Sequence, residues 1–164
     1  MEEPYVRQTF RNRCEILTSQ GVQKLSIPID KNSTRSGNIK DTKIDYAEPW
    51  QRQHWRSIHT AYNNSPYFLY YQDELRGFYE KHYSFLVDFN SEILDFILKK
   101  IGCGVRGTGY EVSSEHTSHL APRTSHHFPR YQQVFNCQNF IENLSSFDLL
   151  FNCGPESKSF LQSA

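Results

Sequence analysis

The segment from Trp50 to Phe68 concentrates side chains that could do chemistry, since it holds two Trp, two His and two Arg in nineteen residues. If the segment is a helix with 100° per residue, Trp50, His54 and Ile58 share one apolar arc of about 140°. His59 falls on the opposite, polar side. Because an imidazole titrates near neutral pH, His54 is a candidate general base. The alternative is a core histidine that is hydrogen-bonded to a backbone carbonyl.

A second candidate group is Arg11-Asn12-Arg13. The alternation of the surrounding sequence predicts a strand, which would place Arg11 and Arg13 on one face and Asn12 on the other. Two guanidinium groups side by side match the geometry of a phosphate or a carboxylate. The alternative is an exposed strand face on which Glu15 offsets the positive charge.

Two further motifs do not predict a cofactor or a metal. Gly102, Gly104 and Gly107 spell G-x-G-x-x-G, but they follow a predicted helix, whereas a dinucleotide site needs a preceding strand. We therefore interpret them as a helix end and a connector. A loop-like segment holds four histidines, but no carboxylate or thiol lies at a ligand spacing from them. They are His116, His119, His126 and His127.

The elements that must position these residues begin with a hairpin. Phe10 to Leu17 alternates as a half-buried strand, Ser19-Gln20-Gly21 is a turn, and Val22 to Ile29 is the return strand. Three further strand candidates follow along the chain: a weaker one, a short one and a last, buried one. They are residues 39–46, 110–112 and 131–135.

Four helices are predicted after the hairpin. The first covers residues 50–64, the second has Ser65 as N-cap, the third is capped by Asn90, and the last is capped by Ser145. The apolar stripes are Phe68, Tyr71, Leu75, Phe78 and Tyr79 on the second helix and Ile93, Leu94, Ile97 and Leu98 on the third. We predict a mixed α/β (α+β) fold in which an antiparallel hairpin-based sheet, extended by at least two strands, packs against three to four helices.

Composition predicts one domain over residues 1–164, with a flexible loop region at 103–130. Eighteen basic residues balance eighteen acidic ones, so net charge does not favour nucleic acid or an anionic membrane. No apolar run approaches the length of a membrane span. Four cysteines without a C-x-x-C pair indicate a reduced, cytoplasmic protein. They are Cys14, Cys103, Cys137 and Cys153.

These segments, taken in order, resemble the WbqC-like protein family, in the style of a Bacteroidetes-type member. The resemblance covers nearly the whole chain, and the order and spacing of the segments carry it rather than any single motif. The segments are Gln8–Cys14, Leu25–Ile29, Trp50 with His54–Ile58, Ala61-Tyr62, Ser65–Phe68, Tyr131–Phe135, Asn143–Ser145 and Asp148–Pro155.

The resemblance implies a role in surface-polysaccharide (O-antigen) biosynthesis, and the activity that it implies is that of a transferase. The implied reaction moves a glycyl or acyl group from an activated glycyl donor to an amino or hydroxyl group of a nucleotide- or lipid-linked sugar. It needs a base, oxyanion donors and cations for a phosphate. The residues implied for these roles are His54 as base, Asn12 or Asn143 as oxyanion donor, Arg11, Arg13 and Arg56 as phosphate contacts, and Trp50 as a further substrate contact. Helical spacing places Arg56 on the opposite face of its helix from His54, so we do not expect these two residues to share one pocket. We expect Arg13 and His54 to line one concave site, with Asn143 nearby.

Two alternatives to an enzyme stay open. One is a non-catalytic module that binds a sugar or a partner of the glycan machinery, and the other is an inactive truncated remnant. Family members normally begin with a further strand, helix and strand before the segment that matches Gln8–Cys14. The sequence therefore predicts that this chain alone is marginally stable, with an uncovered strand edge.

Overall fold

The structure is a computed structural model that describes residues 11–36, 38–102, 130–135 and 139–162. Several features expected from the sequence lie outside these residues. They are the start of the first strand at Phe10, the strand at 110–112, the glycines at 104 and 107, and all four histidines of the loop-like segment.

The predicted hairpin is confirmed, with strands β1 (Arg13–Thr18) and β2 (Gly21–Ser26). The strands pair antiparallel, with Arg13 opposite Ser26 and Thr18 opposite Gly21. Gly21 has φ of 108°, a left-handed value that glycine adopts without steric cost. β1 begins at Arg13, so Arg11 and Asn12 precede the regular strand. The predicted alternation therefore does not apply to them.

The prediction of a strand over residues 39–46 is wrong. Ile39–Asp41 instead forms a short 3-10 helix, because the side chain of Asn38 accepts a hydrogen bond from the Lys40 amide at 3.0 Å. After it, Ile44 makes an isolated bridge with Ile29, and Lys43 makes another with Phe85. Within the described residues, the sheet itself has two strands.

Three long helices pack on the hairpin and on one another: α1 (Trp50–Tyr62), α2 (Phe68–Glu80) and α3 (Leu86–Ile101). The predicted partition of α1 is confirmed, since His54 is buried and His59 is exposed. The stripe of α2 is also confirmed, with Phe78 half-buried and its other four members buried.

The starts of α2 and α3 differ from the prediction. The hydroxyl of Ser65 donates to the Tyr62 carbonyl at 2.6 Å, so Ser65 closes the end of α1 and α2 begins three residues later. α3 begins at Leu86, which places Asn90 inside the helix rather than at its cap. As a result, Phe89, Phe96 and Ile101 are buried, whereas Leu94 of the predicted stripe is exposed.

The chain ends in two short helices, α4 (Ser146–Cys153) and α5 (Ser157–Gln162). Ser145 caps α4 as predicted, because its hydroxyl accepts from the Phe147 amide at 3.4 Å. The buried strand expected at residues 131–135 is wrong, since this segment has no regular secondary structure. The side chains of Tyr131 and Gln133 are instead hydrogen-bonded to the buried carboxylate of Asp148.

The core lies between the hairpin and the helices and is rich in aromatic rings. Trp50 contacts the rings of Phe89 and Tyr79 edge-on, with centroids 5.4 Å and 6.4 Å away. Phe151 of α4 packs edge-on against Phe68, which joins the last helices to the same core. The mixed α+β class, with a hairpin packed by helices, is confirmed.

Candidate functional site

A cavity of ≈ 300 Å³ lies where β1 and β2 meet α1, α3 and the start of α4; we call it the hairpin cavity. Its polar lining includes Arg11, Asn12, Arg13, His54, Asn90 and Ser146. Two guanidinium groups are thus part of the lining, and no acidic residue lines the cavity among the described residues. The expected convergence of Arg13 and His54 on one concave site is therefore observed.

The segment before β1 brings all three residues of the Arg11-Asn12-Arg13 group to this cavity. The prediction that Asn12 lies on the opposite face from the two arginines assumed a regular strand, whereas β1 begins only at Arg13. The Nδ2 of Asn90 donates to the Arg11 carbonyl at 2.7 Å and so ties this segment to α3.

Asn12 lines the hairpin cavity, and the hairpin holds its side-chain amide. Its Nδ2 donates to the Ile27 carbonyl at 3.2 Å, which fixes the orientation of the amide. Its Oδ1 is buried and has no hydrogen-bond partner among the described residues. The Nδ2 donor is therefore already engaged, and an oxyanion needs donors rather than this acceptor oxygen.

His54 is 6% exposed, and its Nε2 lies 3.1 Å from the Ser26 carbonyl. A carbonyl can only accept, so Nε2 carries the proton and Nδ1 is the ring nitrogen that could take up another. Burial lowers the pKa of His54 to about 4, against a smaller opposing effect of the Ser26 hydrogen bond. The imidazole is neutral at pH 7 and is a weak base. The structure thus matches the alternative of a core histidine bonded to a backbone carbonyl.

Two neighbours of His54 are equally unreactive. Trp50 is 2% exposed and packs edge-on against the His54 ring at 5.1 Å between centroids. It does not line the hairpin cavity, so its position is that of a core residue rather than of the predicted substrate contact. Burial and then the charge of Glu15 raise the pKa of the Cys14 thiol to about 11, which leaves it protonated at neutral pH.

Asn143 lines a second cavity of ≈ 280 Å³, which we call the aromatic cavity. Tyr131, Phe140 and Phe160 supply its rings, and Ser145 and Ser146 line both cavities. Asn143 therefore lies beside the hairpin cavity and not within it. Its φ of 62° is a left-handed conformation that asparagine tolerates better than most residues.

Asp148 was not among the residues that the sequence predicted for a site. The Asp148 carboxylate is fully buried and accepts from the Tyr131 hydroxyl at 2.6 Å and from the Gln133 Nε2 at 3.2 Å. Burial raises its pKa, although the hydrogen bonds oppose this. The missed signal was three polar residues, Tyr131, Gln133 and Asp148, flanked by apolar ones near the end of the chain.

The remaining sequence features are a glycine motif, the cysteines, possible metal ligands and possible membrane spans. Gly102 ends α3 with φ of 79°, as the helix-end interpretation of the glycine motif predicted. Cys14 and Cys153 are free thiols. Within the described residues, no group of three or more His, Cys, Asp or Glu could hold a metal ion. In the same part of the chain, no helix combines the length and apolar character needed to cross a membrane.

The comparisons with known proteins bear on the hairpin and the first three helices. The model of the WbqC-like protein family matches residues 2–123, most of the chain. The chain belongs to the WbqC-like family. It is 30% identical over 121 residues to the uncharacterized protein Rv1507c of Mycobacterium tuberculosis. The aligned region is 71% of this chain and 52% of the relative, so the chain spans about half the length of that relative. No solved structure matches this WbqC-like chain.

The family match includes Arg11, Asn12, Arg13 and His54, and it ends before α4. Most of the hairpin cavity is therefore built from the matched region, whereas the aromatic cavity is built from residues that follow it. The two cavities meet at the N-terminus of α4.

Proposed function

We propose that this WbqC-like protein acts in surface-polysaccharide biosynthesis, as a transferase that adds a glycyl or another acyl group to a sugar. The sugar is linked to a nucleotide or a lipid through phosphate, and its phosphate binds in the hairpin cavity. The family resemblance is the reason for proposing this pathway and a glycyl donor. The two arginines of the hairpin cavity are the reason for proposing that it binds an anion.

The observation that carries the proposal is the pair of arginines in the lining of the hairpin cavity. Arg11 and Arg13 line it together, and no acidic residue lines it among the described residues. Ser146, the first residue of α4, adds the positive end of a helix dipole to the same wall. Guanidinium groups bind phosphate through paired, charge-assisted hydrogen bonds.

The weak basicity of His54 favours an amino group as the acceptor. A sugar hydroxyl must lose its proton as it attacks, and a base with a pKa of about 4 assists that step poorly. A neutral amine already has a lone pair. Its nitrogen forms a bond to the acyl carbon, the bond from that carbon to the donor's leaving group breaks, and the surplus amine proton leaves with that group or with water.

The test is the composition of the surface polysaccharide in a strain that lacks the gene. We expect the deletion to remove a glycyl or other acyl substituent that mass spectrometry detects. Wild-type protein should restore it, and the Arg11→Ala/Arg13→Ala variant should not. The matched control, Arg52→Ala/Arg56→Ala, removes two exposed arginines from the outer face of α1 and should restore it. An unchanged set of acyl substituents in the deletion strain would overturn the proposal.

A second candidate function is a non-catalytic module that binds the same phosphate-linked sugar. The observation that favours it is the inertness of the lining, since His54 is a weak base and the Cys14 thiol has a pKa of about 11. Purified protein incubated with cell extract and labelled glycine separates the two. Protein-dependent labelling of a sugar supports the transferase, whereas phosphate-sugar binding without labelling supports the module.

A further inference from the structure

The two cavities share two lining residues and differ in chemistry. Ser145 and Ser146 line both of them. The hairpin cavity has two arginines, whereas no lysine or arginine lines the aromatic cavity among the described residues. A molecule that occupies both must therefore have an anionic part next to an uncharged, largely apolar part.

Aromatic rings line the aromatic cavity and hold one another in place. The Tyr131 ring packs edge-to-face with Phe140 and Phe160, at centroid distances of 5.1 Å and 5.9 Å. The hydrogen bond from the Tyr131 hydroxyl to Asp148 fixes one wall. Rigid aromatic faces reduce the ordering cost of binding a flat ligand.

Another part of the lining is fixed by a reciprocal pair of hydrogen bonds. Gln133 donates to the Ile141 carbonyl at 2.9 Å and accepts from the Ile141 amide at 3.1 Å. This pair positions the segment that carries Glu142 and Asn143, whose exposed side chains line the cavity. A carboxylate accepts from N–H groups, and an amide both donates and accepts.

Aromatic rings beside a carboxylate and an amide favour a nucleobase over a prenyl chain as the group bound in the aromatic cavity. A prenyl chain would meet the apolar walls but would place hydrocarbon against the Glu142 carboxylate, which costs free energy. A nucleobase has aromatic faces for the rings and N–H and acceptor edges for Glu142 and Asn143. Each cavity is at about the lower limit of ligand pockets, ~300 Å³, so a nucleotide sugar would need both.

We infer that the aromatic cavity binds the base of a nucleoside diphosphate sugar whose diphosphate lies beside Arg11 and Arg13 in the hairpin cavity. This inference rests on the proposed function, which requires the anion site but not the base site. It selects a nucleotide-linked over a lipid-linked sugar as the substrate.

The test is equilibrium binding of the full chain to defined probes by calorimetry. The probes are ADP, GDP, CDP and UDP, with pyrophosphate as the probe without a base and farnesyl phosphate as the prenyl probe. We expect the best nucleoside diphosphate to bind about tenfold or more tightly than pyrophosphate, because base stacking on aromatic rings adds affinity. Farnesyl phosphate should bind no more tightly than pyrophosphate.

Two variants assign this preference to the aromatic cavity. Phe160→Leu keeps an apolar side chain but removes a ring, and it should lower nucleoside diphosphate affinity toward that of pyrophosphate while leaving pyrophosphate binding unchanged. Glu142→Gln alters an exposed side chain that cannot threaten folding, and it should change the ranking of the four bases. Leu69→Ala, which alters an exposed apolar residue of α2, is the control and should change neither.

The outcomes separate the inference from the proposed function. Equal binding of pyrophosphate and all four nucleotides, tighter binding of farnesyl phosphate, or nucleotide affinities unaffected by both cavity variants would overturn the inference and leave the anion site standing. Failure of every phosphate probe to bind would overturn both. A nucleotide preference that these variants abolish or re-rank supports the inference.

Discussion

His54 owes its chemistry to the depth at which α1 packs on the hairpin. The helical period places it on the inner face, and this much follows from the sequence. The partner does not, because the Ser26 carbonyl lies 28 residues away in the chain and meets the ring only in the folded protein. Burial then lowers the pKa to about 4. A sequence pattern can locate an imidazole, but its basicity is set by tertiary structure.

This pKa predicts a pH dependence of stability. Since the folded pKa is below the usual 6.5, the unfolded chain gains a proton at His54 before the folded chain does. The free energy of unfolding should therefore fall as pH decreases from 6.5 to about 4, by about 3 kcal/mol from this group alone. Wild type and His54→Gln are compared by urea unfolding at pH 7.5 and pH 4, since glutamine does not titrate and can still donate to the Ser26 carbonyl.

The other titrating groups are common to both proteins and cancel in the difference. Wild type should lose about 3 kcal/mol more than His54→Gln between the two pH values. An equal loss in both proteins would mean that His54 is not buried in its neutral form.

At the scale of elements, the long helices and the hairpin were predictable, whereas caps and irregular segments were not. Periods of 3.6 and 2 identify α1, α2 and the hairpin from local sequence. Asn90 was mistaken for a cap because its real partner, the Arg11 carbonyl, is 79 residues away. Residues 131–135 read as an apolar strand, yet Tyr131 and Gln133 are held by Asp148. Long-range polar contacts of this kind leave no periodic signal.

The Asp148 network should dominate the stability of the chain end. Asp148→Ala leaves the half-buried Tyr131 hydroxyl without its acceptor and removes one of the two acceptors of the Gln133 Nε2, so it should lower the free energy of unfolding by about 2 kcal/mol. Asp73→Ala removes an exposed carboxylate from α2 and should change it by less than about 0.5 kcal/mol. Urea unfolding of the two variants checks this, and equal stabilities would contradict a structural role for the network.

Gly154, which ends α4, should also be intolerant of substitution. Its φ of 53° and ψ of −126° suit glycine alone, and an added Cβ would lie 2.5 Å from Tyr67 Cδ1. Gly154→Ala should cost about 3 kcal/mol or more. Gly77, inside α2, has open space around the position of a Cβ, so Gly77→Ala should stabilise by about 0.5–1 kcal/mol. Thermal unfolding of both variants tests the contrast, and two shifts of the same sign would contradict it.

At the scale of the whole molecule, the fold brings distant segments to one cavity. The stretch before β1, the inner faces of α1 and α3 and the start of α4 all contribute lining residues. The sequence predicted that Arg13 and His54 would meet, because both are polar residues set among apolar ones. It did not predict Asn90 or Ser146, whose places in the cavity depend on where α3 begins and on how α4 docks. Which helix ends meet is decided by packing that single-sequence patterns do not encode.

The central claim is that Arg11 and Arg13 make the hairpin cavity a phosphate site. Calorimetric titration with pyrophosphate tests it directly, using wild type, Arg11→Ala/Arg13→Ala and the control Arg52→Ala/Arg56→Ala. We predict that wild type and control bind alike and that the Arg11/Arg13 variant binds at least about tenfold more weakly, because each lost charge-assisted pair removes affinity. Equal binding by all three proteins, or no binding by wild type, would contradict the account.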